Sequence, residues 1–85
     1  MTKLTLYTRA NCPLCDKAKA DILDIKNDIE FELEEIDINS SDELTEEFGL
    51  MIPVIYIDGE EIGYGIVNET YLRNRLQEKQ RNHIS

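Results

Sequence analysis

Two cysteines, Cys12 and Cys15, stand at a point where the hydrophobic pattern of the chain changes period. Before them, Lys3-Leu4-Thr5-Leu6-Tyr7-Thr8 alternates and is rich in strand-forming residues. After them, Leu14, Ala18, Ile22, Ile25 and Ile29 recur at helical spacing and predict an amphipathic helix ending near Asn27. Pro13 suits the first position of that helix, because the N–H it lacks would be unpaired there anyway. The pair therefore falls on a strand-to-helix junction. A bridge across two intervening residues removes little chain entropy, so it is a poor structural staple. Cysteines this close point to redox chemistry or metal binding instead.

The remainder of the chain supplies a small α/β domain around that junction. Phe31, Leu33, Ile36 and Ile38 mark a second strand, with an irregularity expected near Glu34–Glu35. Ser40 and Glu43 have capping-box spacing before a short helix that turns Leu44 and Phe48 inward and ends at Gly49. Pro53 opens the apolar run Val54–Ile57. Asp58-Gly59 then predicts a tight hairpin into Glu60–Tyr64. Asn68 is placed to cap a last helix with Tyr71, Leu72 and Leu76 facing the core. The predicted order is β-α-β-α-β-β-α: a mixed four-stranded sheet with three helices, in a single domain over residues 1–85. The two helical connections imply parallel neighbours, and the hairpin one antiparallel pair.

Charge narrows the partners. Nine basic residues face eighteen acidic ones, a net charge of −9. Nucleic acid needs a basic footprint, and an anionic membrane surface would repel this chain. Neither is expected as a partner. No base lies between Asn27 and Leu72, which disfavours acidic partners generally. The longest apolar run, Ile52–Ile57, is too short to span a bilayer. No signal-peptide pattern is expected either, and the cytoplasm is the expected compartment.

The junction carries its own chemistry. With Pro13 as first helical residue, Cys12 becomes the cap, and the free N–H groups of Leu14 and Cys15 point back at its sulfur. The positive helix end favours thiolate over thiol, so Cys12 is expected to be substantially ionised at neutral pH. Cys15, one turn on, is expected to be more deeply covered yet within reach of Cys12. That suits two-step exchange, with Cys12 as nucleophile and Cys15 as resolving thiol. Arg9 is the candidate for a fixed positive charge beside the thiolate, with Lys17 a weaker one. Structural zinc wants four ligands, and His83 is the remaining soft donor, so no metal site is expected. A copper chaperone is disfavoured by Pro13 and by a layout that ends in a helix.

These residues resemble a known family. Tyr7-Thr8-Arg9-Ala10-Asn11-Cys12-Pro13-Leu14-Cys15 resembles the active-site segment of glutaredoxins. Met51-Ile52-Pro53-Val54 resembles the segment before their third strand, and Ile62-Gly63-Tyr64-Gly65 falls at their Gly-Gly turn. The resemblance spans about residues 3 to 78, in the element order of the thioredoxin fold. It is nearest to small glutaredoxin-like proteins with a Cys-x-Leu-Cys pair. It implies a disulfide reductase whose substrate groove is shaped by Pro13, Leu14, Ile52 and a cis Pro53. It also implies glutathione as cosubstrate rather than as a bound cofactor, met by Arg9, Ile52, Gly65, Asn68 and Glu69.

The chain departs from the family pattern at several of those positions. Leu14 stands where an aromatic residue is usual, and Met51-Ile52 where Thr or Ser-Val is usual. Gly65-Ile66-Val67-Asn68-Glu69 replaces an Asp-rich helix start, and Tyr64 is expected to pack over the turn. The expected partners are a disulfide-containing protein or a glutathione mixed disulfide, with a thioredoxin-type reductase as another electron source, acting on a monomer. Two alternative functions are an iron–sulfur module shared by two chains through Cys12 and glutathione, and a redox-sensing interaction protein.

Overall fold

The computed structural model describes residues 2–83, with side chains through residue 80. Eight elements follow one another: β1 (Lys3–Thr8), α1 (Pro13–Lys26), β2 (Glu32–Asp37), a one-turn 3₁₀ helix (Ile38–Ser40), α2 (Asp42–Phe48), β3 (Val54–Ile57), β4 (Glu60–Tyr64) and α3 (Glu69–His83). The sheet order is β2-β1-β3-β4. This is the expected four-stranded mixed sheet with three α-helices.

One feature of the pairing differs from expectation. β1 and β2 are parallel, from Lys3 opposite Glu32 to Thr8 opposite Asp37. β3 runs antiparallel to β1, from Leu4 opposite Ile57 to Tyr7 opposite Val54. The connection through α2 therefore reverses direction, and two pairs rather than one are antiparallel, since β3 and β4 form the other. A short helix carries the chain across the sheet without returning it to the strand's starting end.

Alternation along the inner strands divides the core in two. Leu4 and Leu6 of β1, Ile55 and Ile57 of β3, and Ile62 of β4 face α1 and α3, where they meet Ala18, Ile22, Ile25, Leu72 and Leu76. Val54 faces the other way, toward Ile38 and Phe48, with Tyr7, Leu44, Met51, Ile52 and Tyr56 packed around them. The result is three layers, with two helices on one face and one on the other. The hairpin turn has positive φ at both central residues, 50° at Asp58 and 85° at Gly59. That is the backbone a two-residue primed turn requires. Lys3 and Asp58 exchange backbone and side-chain hydrogen bonds at 2.9 Å, which ties the turn to the start of β1.

Local details shift by one or two residues. The cap of α2 is Ser41, whose Oγ accepts the Leu44 N–H at 3.4 Å. Ser40 instead closes the 3₁₀ turn by donating to the Asp37 carbonyl at 2.6 Å. β2 pairs without a break through Glu34–Glu35. The apparent irregularity arises because Leu33 and Ile36 sit on opposite faces of an edge strand, each partly covered. A register shift occurs between Ile55 and Tyr56 on the β3–β4 side instead. Asn68 caps α3 by accepting the Tyr71 N–H at 3.2 Å. Tyr71 itself is 45% exposed rather than inward. It lies one position off the Leu72–Leu76 stripe, and its hydroxyl donates to the Ile62 carbonyl. Tyr64 is likewise exposed, at 57%. No helix of the described residues is long and apolar enough to cross a membrane.

Candidate functional site

The route from β1 into α1 is set by Asn11, whose φ of 59° lies in the left-handed region. Asn reaches that region more easily than most residues with a side chain. The bend leaves Cys12 extended (φ −118°, ψ 102°) as the cap of α1, with Pro13 in the first helical turn. Cys12 Sγ accepts the Cys15 backbone N–H at 3.3 Å. The sulfur thus fills the role a serine or aspartate oxygen usually plays at a helix start. It receives an N–H and faces the positive end of the helix dipole.

Cys12 is half-buried, whereas Cys15 is 2% exposed. Burial is the main influence pushing the Cys15 thiol above its ordinary range, and its hydrogen bond with Cys12 adds to it. Influences from the Thr8 side chain and the Arg9 backbone act in the opposite sense. Residues three apart on a helix bring their Cβ atoms to roughly 5–6 Å, so little movement is needed for the two sulfurs to bond.

The surrounding candidates divide into two groups. Arg9 is exposed and, among the described residues, forms no ion pair. Its side chain lines a polar cleft of about 330 Å³ between the end of β1, the first turns of α1 and β2. Thr8, Asp16, Lys19, Glu35 and Asp37 share that cleft, and Cys12 does not line it. Lys17 pairs with Asp21 at 2.9 Å on its own helix. His83 is the last residue of α3, but its side chain lies outside the described residues.

On the other side, the Ile52–Pro53 peptide is cis and Pro53 is fully buried. Because Tyr7 pairs with Val54, Pro53 falls beside the end of β1, at the edge from which the cysteine loop departs. The Gly65 N–H is shared between the Met51 and Pro53 carbonyls at 3.1 and 2.8 Å, which ties the loop after β4 to the proline loop. Leu14 leaves the apolar face predicted for α1: it is 42% exposed and lines a shallow cleft with Lys17, Ala18, Asp21, Gly65, Ile66 and Val67. The structure therefore brings Leu14 and Gly65 together.

The residues suggested for a glutathione ammonium already have internal partners. Asn68 caps α3, and Glu69 binds Arg73 at 3.0 Å.

Comparison with known proteins agrees with this arrangement. The model of the glutaredoxin-like domain (DUF836) matches residues 3–77. An uncharacterized protein of Mycobacterium tuberculosis is 30% identical over 76 residues, covering 84% of this chain and 78% of its own length. A structural-genomics target protein of X. campestris superposes with a TM-score of 0.74 at 28% identity, covering 88% of this chain and 96% of its own. A mutant thioredoxin from Halobacterium salinarum superposes with a TM-score of 0.67 over 91% of this chain and 73% of its own. At 18% identity that likeness speaks for the fold alone. With its thioredoxin-like fold and its Cys-x-x-Cys pair, the chain belongs to the glutaredoxin-like domain family.

Proposed function

We propose that the protein is a thiol–disulfide oxidoreductase. The observation that carries this reading is the cap geometry: an accessible Cys12 sulfur held by the Cys15 N–H at a helix start, with a buried second thiol one turn behind it. In the first step the Cys12 thiolate attacks one sulfur of a substrate disulfide and expels the other as a thiolate. A mixed disulfide remains on Cys12. In the second step the Cys15 thiolate attacks Cys12 Sγ, forms the Cys12–Cys15 disulfide and releases the second substrate thiolate. The substrate gains two electrons, the cysteine pair loses two, and the released thiolates take up the protons the pair gave up. A second thiol, either glutathione or the dithiol of a reductase, returns the pair to its reduced form.

The substrate in this reading is a disulfide-bearing protein or a glutathione mixed disulfide. The internal partners of Asn68 and Glu69 favour the protein substrate. The exposed Leu14 and Ile66, on one cleft beside the cap, offer apolar contact of the kind a peptide side chain makes. Neither a bound cofactor nor a metal takes part, the protein acts as a monomer, and its working compartment is the reducing cytoplasm, where the dithiol form is maintained.

Trapping tests the reading. Cys15→Ser keeps the attacking sulfur and removes the one that resolves, so the mixed disulfide should accumulate. Incubated with a disulfide-bonded protein or with oxidised glutathione, the variant should gain the mass of one adduct, on Cys12. An adduct from glutathione alone would assign glutathione as the substrate. No adduct from either would contradict the exchange mechanism.

A further inference from the structure

The segments around Cys12 lack what the rest of the chain has in excess. Residues 10–15, 49–57 and 62–68 contain no charged side chain, in a chain that is 32% charged. The fold gathers these three segments at one end of the sheet. Tyr7 pairs with Val54, which sets Pro53 beside the departure of the cysteine loop. Gly65 donates to the Met51 and Pro53 carbonyls, and Ile66 shares a shallow cleft with Leu14. Large apolar side chains are exposed on these segments: Leu14, Leu50, Tyr64 and, at 83%, Ile66. Among the described residues, the other large apolar side chains left exposed are Leu23 and Tyr71. Apolar surface gathered in one place on a highly charged molecule marks a contact surface.

The margin of this collar is acidic. Asp16 follows Cys15 in the first turn of α1, and Glu46 and Glu47 lie in the last turn of α2, just before Gly49. All three are exposed and, among the described residues, form no ion pair. The nearby bases are placed otherwise. Lys17 is held by Asp21, and Arg9 lines the polar cleft that Cys12 does not line.

We propose that the collar docks a disulfide-bearing protein with apolar residues beside its disulfide and basic residues outside them. This rests on the exchange reaction proposed above and names the substrate class for it. Leu14 and Ile66 gain from covering apolar side chains, at about 25 cal/mol per Å² removed from water. The arrangement is that of a protein interface, with an apolar centre and a polar rim. The free carboxylates at the rim attract a basic partner and repel an acidic one. Glutathione fits poorly, because its carboxylates and ammonium would lose water in the collar without meeting an opposite charge.

Four probes test the match, each a thiol bonded through sulfur to 5-thio-2-nitrobenzoate. Attack by the Cys12 thiolate on the thiol's sulfur expels the coloured nitrobenzoate thiolate and leaves the thiol on Cys12 as a mixed disulfide. The first thiol is a cysteine peptide with leucines beside the cysteine and lysines outside them. The second has glutamates for the lysines, the third has serines for the leucines, and the fourth is glutathione. Each rate is divided by the rate with mercaptoethanol, which removes differences in the probes' own reactivity. At low salt the first peptide should react about tenfold or more faster than the second. That advantage should collapse in about 1 M salt, where the screening length is roughly 3 Å. Its advantage over the third should be roughly tenfold and should persist in salt. Glutathione should react more slowly than the first peptide. Ile66→Ser, at an exposed position, should narrow the leucine-over-serine ratio by about threefold or more. Glu46→Gln with Glu47→Gln should narrow the lysine-over-glutamate ratio. Equal rates within either pair of peptides, or glutathione as the fastest probe, would overturn the docking surface while leaving the exchange reaction intact. No coloured release from any probe would contradict the exchange reaction itself.

Discussion

Cys12→Ser should abolish disulfide reduction while leaving the fold intact. A hydroxyl is far less ionised and far less nucleophilic toward sulfur than a thiolate, so the loss should be on the order of 10³-fold or more, the scale seen when a sole nucleophile is removed. The change is also informative about structure. Cys12 is the cap of α1, and serine is among the preferred caps. Its oxygen can take the Cys15 N–H that the sulfur now takes. The melting temperature should therefore hold or rise slightly as activity disappears. A reductase assay beside thermal unfolding reads both. Loss of activity with a large drop in melting temperature would mean that the cysteine acts as a packing residue instead.

Leu6→Ala should have the largest effect on stability. Leu6 has no exposed surface and lies between two neighbouring strands, paired with Glu35 of β2 and Ile55 of β3. It belongs to the core that holds α1 and α3 to the sheet. Truncating a leucine at such a place costs about 2–5 kcal/mol, through lost transfer energy and the cavity left behind. A small domain has only about 5–15 kcal/mol in total. At roughly 4–8 °C per kcal/mol for a domain of this size, the melting temperature should fall by at least about 8 °C. Leu23→Ala is the control. Leu23 lies on α1 and is 46% exposed, so truncation there should stay within about 0.5 kcal/mol. Equal losses at the two sites would contradict the division between core and surface.

What could be read from the chain was local in origin. Alternation marked β1, Pro13 marked the first turn of α1, and Asp58-Gly59 marked the hairpin, because each is a property of a few adjacent residues. The Cys-x-x-Cys junction was legible for the same reason. The misreadings needed information from elsewhere in the fold. Whether Ser40 or Ser41 caps α2 depends on where the preceding 3₁₀ turn ends. The direction of β3 depends on how α2 crosses the sheet, which its sequence does not encode. Leu14 fits the helical period of α1, but the loop after β4, not the sheet, faces it. The contacts suggested for glutathione were the least legible, since Asn68 and Glu69 are both engaged by α3.

Limited alkylation tests the central claim most directly. The reduced protein is treated at neutral pH with less than one equivalent of iodoacetamide, and the modified cysteine is located by peptide mass mapping. The accessible, N–H-bonded sulfur at the helix start should carry nearly all the label, and Cys15, buried and held protonated, almost none. Label shared equally, or found on Cys15 first, would contradict the assignment of Cys12 as the attacking sulfur.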